Sequence, residues 1–162
     1  MSDLSTPDGR EVEQSSAVLV PFEAKWEPFL MHNSIGVVIR KRIPKDRRCR
    51  WLYMYLNSPI SAICFRATLA RIYDASNEEA MSLSHAIGMP QDAIASYIGS
   101  KSEVGCYVLD EIQRANHQVT LTELAATLNI HPPQGFLILS REATDFIETV
   151  AHFKKHKSRD IE

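Results

Sequence analysis

The chain is poor in the features that announce common chemistries. It has three cysteines, Cys49, Cys64 and Cys106, an odd number spaced too widely for a Cys-x-x-Cys metal knuckle. They read as reduced thiols, with Cys64 and Cys106 in apolar, strand-like runs where small hydrophobes are commonly buried. Cys49 differs, because its basic neighbours favour a thiolate and mark it as the reactive one; no positioned base accompanies it, so nucleophilic catalysis is not expected. There is no Gly-x-Gly-x-x-Gly fingerprint, no Walker-type phosphate loop and no Gly-x-Ser-x-Gly elbow, which removes the usual nucleotide-cradling and hydrolase readings. Six histidines include no His-Glu-x-x-His; His152 and His156 are four apart, but Lys154, Lys155 and Lys157 surround them and oppose a cation. No metal and no cofactor is therefore expected. No apolar run approaches the ~18 to 20 residues that span a bilayer, and the polar opening at 1–16 lacks the apolar core of a secretory signal, so the expectation is a cytoplasmic protein without a membrane partner.

What the chain does have is charge in one place. Seven of the eleven residues from 40 to 50 are basic (Arg40, Lys41, Arg42, Lys45, Arg47, Arg48 and Arg50), although the formal net charge of all 162 residues is only −2. Such density repels itself unless an anion sits opposite, and the run leads directly into Trp51, Tyr53 and Tyr55, so it reads as a phosphate-contacting surface beside stacking groups. A solvated turn between strands is the plainer alternative. Tyr53 and Tyr55 lie two apart and share a face with Trp51, whereas Leu52, Met54 and Leu56 form a uniformly apolar opposite face. The aromatic face is the one expected to reach a ligand unless helices cover it.

With 44% apolar and 23% charged residues, the composition is that of a globular domain able to bury a core. Residues 1–16 and 158–162 read as tails around one domain at 17–157. The run 17–20 suits a buried strand that Pro21 stops. Residues 22–31 show helical spacing, limited by Pro28, with Trp26 expected in the core. Three β-rich stretches follow at 36–43, 51–57 and 62–75. Ser76 with Glu79 opens a helix to Ile87, and Pro90 starts another to Ile98. A strand is expected at 103–114, a helix from Thr120 or Thr122 to Leu128, a loop at 130–136, and an amphipathic helix from Arg141 to Lys155. Strands interrupted by helices without a βαβ rhythm give an α+β fold with a mainly antiparallel, barrel-like sheet.

Three motifs then fall in an informative order: RKRIP at 40–44, NSPI at 57–60 and PPQGF at 132–136. On these the run from Ala17 to about Leu139 resembles an ASCH domain of the PUA-like superfamily. The resemblance implies a small β-barrel with flanking helices, and in some members a hydrolase acting on RNA or a modified nucleoside. The family's Gly-x-Lys-x-x-Glu-x-Arg signature survives here only at Arg40. Asn33, Ile35 and Val38 stand where the glycine, lysine and glutamate would be, and isoleucine and valine supply neither a base nor a nucleophile. The reading is therefore a nucleic-acid-binding module, for single-stranded or structured RNA, over an ASCH-type hydrolase. Phosphates would meet the seven cations named above, Tyr53 or Tyr55 would stack a base, and Arg40 with Asn57 would line the pocket. His131 is expected to be solvated.

Overall fold

The computed structural model describes residues 17–154. The two expected tails, and His156, fall outside the described residues. The strands are β1 (Ala17–Phe22), β2 (Val37–Arg40), β3 (Trp51–Leu56), β4 (Ala62–Ser76), β5 (Glu103–Thr120), β6 (Leu137–Leu139) and β7 (Phe153–Lys154). The helices are α1 (Glu27–Met31), α2 (Asn77–Ser82), α3 (Ser84–Ile87), α4 (Gln91–Ile98), α5 (Leu121–Leu128) and α6 (Arg141–Ala151), with a 3-10 turn at Ala24–Trp26. One sheet carries the order β2-β5-β4-β3-β1-β6, and β7 pairs with β5. Every pairing is antiparallel except β1 with β3, which runs parallel from Ala17↔Trp51 to Phe22↔Leu56.

The fold is the expected α+β with a mainly antiparallel sheet, and among the described residues the sheet is not closed into a barrel by hydrogen bonds. Residues of five strands converge on one interior cluster, among them Val20 from β1, Val38 from β2, Leu52 and Met54 from β3, Phe65 and Ala67 from β4, and Tyr107 and Leu109 from β5. Curling follows from irregular registers: β4 against β5 shifts between Ile63 and Phe65 and twice near Leu69, and β3 against β4 shifts between Met54 and Tyr55. A bulge adds local twist and moves a side chain to the opposite face, and indeed Ile63 packs outside while Phe65 packs inside.

Helices then cover the outside. α5 and α6 close over Ala17, Leu19, Tyr53, Tyr55 and Val119, while α2, α3 and α4 close over Val37, Ile39, Val104 and Cys106. α6 is held by Ser140, whose hydroxyl accepts from Ala143 N at 3.0 Å, and α5 by the capping box of Thr120 and Glu123, each satisfying amide groups that the first helical turn leaves unbonded. Several boundaries differ from expectation. β1 passes through Pro21, which is tolerated because β6 pairs only Ala17 to Leu19 and the missing proline N–H falls beyond it. The helix expected at 76–87 breaks at Leu83 into α2 and α3. β5 runs on to Thr120, β6 forms just after the expected loop, where no element was expected, and α6 stops at a left-handed His152.

Candidate nucleic-acid interface

The curled sheet is open between β2 and the second half of β1, and Arg40, the last residue of β2, spans that seam. Its Nη1 donates to Ile39 O at 2.7 Å and its Nη2 to Pro21 O at 2.9 Å. Its guanidinium lies 4.7 Å from the centre of the Phe22 ring, within cation–π range. Burial lowers the Arg40 pKa from its ordinary value, opposed by Tyr97, Tyr107 and Glu23; a guanidinium nevertheless remains charged. Among the described residues no carboxylate forms an ion pair with it, and two backbone carbonyls use only part of its five N–H donors. Arg40 is thus a half-buried cation with donors left for a ligand.

It faces a cavity of about 450 Å³, within the size range of small-ligand sites. The walls are Pro21 of β1 and Glu23 just after it, Lys25 and Trp26 of the 3-10 turn, Ile39 to Arg42, Asn57, Met89, Tyr97, Gln134 and Gly135. The three short motifs that are far apart in sequence therefore supply one site: Arg40 to Arg42 from RKRIP, Asn57 from NSPI, and Gln134 with Gly135 from PPQGF. Lys41 is held at the rim, its backbone N–H donating to Tyr97 Oη at 3.2 Å and its Nζ 5.1 Å from the Tyr97 ring centre. Glu23 pairs with Lys25 at 3.3 Å.

The rest of the basic run goes elsewhere. The loop is pinned by Ile43, Pro44 and the buried Cys49. Ile43 packs so closely over Gly105 that any Cβ there would collide with it, so the glycine is what lets the loop lie on β5. Arg47 pairs with Asp74 at 3.0 Å and Arg48 with Asp46 at 2.9 Å, so two of the seven cations are already answered by acids of this chain. Lys45 and Arg50 are exposed and do not line the cavity.

Three expectations are corrected. Tyr53 and Tyr55 are only 1% and 2% exposed, beneath α6, and Tyr53 Oη donates to Glu148 at 2.5 Å; neither can stack a base, because the face opposite Leu52, Met54 and Leu56 is a second core. Burial raises the Cys49 pKa, with Asp46 acting in the same direction, so the buried thiol is not an activated one. Trp26, expected in the core, is half-buried and shares its ring between the core and the cavity. His131 borders a different hollow, beside β6. Trp26, Tyr97, Glu23, Met89 and Gln134 are the site residues missed by reading the sequence. A tryptophan close before a basic strand was the one signal available for them.

The remnant of the signature is informative. Asn33 adopts φ 55°, a left-handed conformation that glycine favours and asparagine tolerates. Ile35 and Val38 are buried, 5% and 4% exposed, and apolar; nothing at these places takes up or gives a proton.

No protein-family model and no curated protein matches the chain. Solved structures do. The crystal structure of ASCH from Zymomonas mobilis superposes with a TM-score of 0.76 at 16% identity, over 87% of this chain and 98% of that one. The chain has an ASCH-like fold. A serine-to-alanine variant of the Zymomonas protein matches at a TM-score of 0.75, also at 16% identity, over 85% and 96% of the two chains. The N-terminal domain of Staphylothermus marinus McrB matches more distantly, with a TM-score of 0.52 at 10% identity over 82% and 93%. In this ASCH-like fold, α2 to α4 form the outer wall that brings Met89 and Tyr97 to the cavity. Among the described residues no helix is long and apolar enough to cross a membrane.

Proposed function

We propose that the protein is a nucleic-acid-binding module of the PUA-like type that draws one unpaired nucleotide into the cavity at the β1–β2 seam. The observation that carries this reading is Arg40, a half-buried guanidinium with unused donors on the floor of a cavity walled by Trp26, Tyr97 and Asn57. An arginine with no carboxylate partner among the described residues suits an acceptor-rich ligand edge such as a base carbonyl or a phosphate oxygen. Trp26 offers a face for stacking, Asn57 adds an amide that both donates and accepts, and Lys41 and Arg42 meet the flanking phosphates. The ASCH-like fold supports the same class of partner, and single-stranded or structured RNA is the first ligand to test. Ile35 and Val38 give no support to hydrolysis by the family's route.

The test is fluorescence anisotropy with a short single-stranded RNA at several salt concentrations. Each phosphate contact on a single strand contributes a log-log salt slope near −0.7, so two or three contacts at the rim give a slope of roughly −1.5 to −2. No binding at low salt, or binding indifferent to salt, overturns the reading.

A further inference from the structure

Among the described residues three large apolar side chains are exposed, and two of them, Phe29 and Met31, sit together on α1, 46% and 43% exposed. Single exposed apolar residues are ordinary on a protein surface; this pair is set apart by its neighbours. Phe29 packs against Trp26 of the cavity wall, with ring centres 5.4 Å apart and planes tilted by 57°, so it continues the aromatic wall outward from the seam. On the side of Met31 lies Arg114 of β5, whose Nη1 donates to the Met31 Sδ at 3.8 Å, and Arg114 stands directly opposite Lys154 of β7 in the antiparallel register. Directly opposed residues project to one face, and like charges so placed destabilise the pairing. Both are exposed, and among the described residues neither forms an ion pair with Glu27 of α1 or with any other carboxylate. Two cations are thus held side by side, at a cost to the fold that an anion between them would offset, and the adjoining helix presents an aromatic ring to solvent.

We propose that this patch is a second nucleotide subsite, outside the cavity: the nucleotide next in the strand to the one at the seam lays its base on Phe29 and sets its phosphate between Arg114 and Lys154. This rests on the nucleotide-binding reading above. An aromatic face beside a pair of cations matches a base and its phosphate, and it does so for any base, because every base has a π-face. The strand enters past Lys41 and Arg42, places one base against Trp26 and leaves along α1. With the two rings tilted by 57°, successive bases resting on them cannot stay stacked on each other, which suits a single strand whose bases are splayed and not a duplex.

The experiment titrates the full chain with a labelled uridine trinucleotide, and with uridine 5′-monophosphate as competitor. The trinucleotide is expected to bind the parent at least about tenfold tighter than the mononucleotide, the factor that one further base stacked on an aromatic side chain supplies. Phe29→Ala is expected to lose about tenfold in trinucleotide affinity while keeping the parent's mononucleotide affinity and melting temperature, and Phe29→Tyr to retain the trinucleotide affinity. Replacing both cations, Arg114→Gln with Lys154→Gln, is expected to reduce the trinucleotide's log-log salt slope by about 0.7, one phosphate contact, without lowering the melting temperature, because the like-charge pair is gone. Trinucleotide binding by Phe29→Ala equal to that of the parent overturns the subsite and leaves the seam reading intact, and so does an unchanged slope in the double variant. An equal loss of both ligands in Phe29→Ala traces the defect to Trp26 at the seam and also overturns the subsite; failure of the parent to bind either ligand overturns both readings.

Discussion

Two half-buried arginines, Arg40 at the seam and Arg66 on the outer face of the sheet, show how differently one residue type can be used. Arg66 is engaged through all three of its nitrogens. Its Nη1 reaches both carboxylate oxygens of Glu148, at 2.7 and 2.6 Å, its Nε donates to Gln113 Oε1 at 2.8 Å, and its Nη2 donates to the same oxygen. Its guanidinium lies 4.6 Å from the ring centres of both Trp51 and Phe153. Tyr53 completes the group through Glu148. This arrangement fastens α6 and β7 to β3, β4 and β5, and leaves nothing for a ligand. Arg40 makes two bonds to carbonyls, touches one ring and has no ion-paired carboxylate among the described residues. A half-buried cation held by a carboxylate, an amide and two rings is a fastener, whereas one left with donors facing a cavity is poised to bind.

Substitutions should separate the two roles. The largest effect is expected at Arg66. Arg66→Ala leaves Glu148 on the inner side of α6 without its cation, and removing one partner of a partly buried pair costs about 2 kcal/mol, read as a fall in melting temperature on the order of 5 °C. Oligonucleotide affinity of the folded protein should not change; a selective loss of binding would move the functional site to the outer face. Next comes Arg40→Ala. Truncating a hydrogen-bonded charge at a binding site costs at least about 2 kcal/mol of affinity, or roughly 30-fold, whereas the lost seam contacts lower the melting temperature by only a few degrees. A melting shift as large as that of Arg66→Ala, with unchanged affinity, would make Arg40 a strut.

The aromatic residues sharpen the contrast at a smaller scale. Trp26→Ala should weaken binding by about tenfold through lost stacking, while Tyr53→Phe should leave binding alone and cost about 1 to 2 kcal/mol of stability through the lost bond to Glu148. An equal binding defect in both, measured by titration with one oligonucleotide, would contradict the assignment of Tyr53 to the core. The smallest effect concerns the cations of the loop. Lys41→Ala should reduce the salt slope by about 0.7, one phosphate contact. Arg47→Ala should leave the slope unchanged, because Arg47 is already paired with Asp74; a reduction there would mean that the ion pair opens to admit a phosphate.

Much of the fold was legible because local rules acted alone. Ser76 and Glu79 start α2, Thr120 and Glu123 box the first turn of α5, and Ser140 caps α6, each a short-range arrangement of a side chain over its own helix. The strand expected at 103–114 also formed, with Tyr107 and Leu109 packed inside and Val104 and Cys106 outside. Where a second layer intervened, the reading failed. The Trp51, Tyr53, Tyr55 face looks open along one strand, and only the later packing of α5 and α6 buries its tyrosines. β6 is three residues long, too short to show a period.

The candidate site divides in the same way. Sequence alone determined that the chain carries a dense basic run, that apolar Ile35 and Val38 precede it, and that RKRIP, NSPI and PPQGF occur in that order, because these are properties of residue identity and spacing. Tertiary structure decided which cations matter. Curling of the sheet sets Arg40 across the open seam from Pro21 and gathers Asn57, Trp26, Tyr97 and Gln134 around it, while the neighbouring loop turns Arg47 and Arg48 toward Asp74 and Asp46. Charge is a property of a side chain, but its availability to a ligand depends on which acids and carbonyls the fold places within about 3 Å of it.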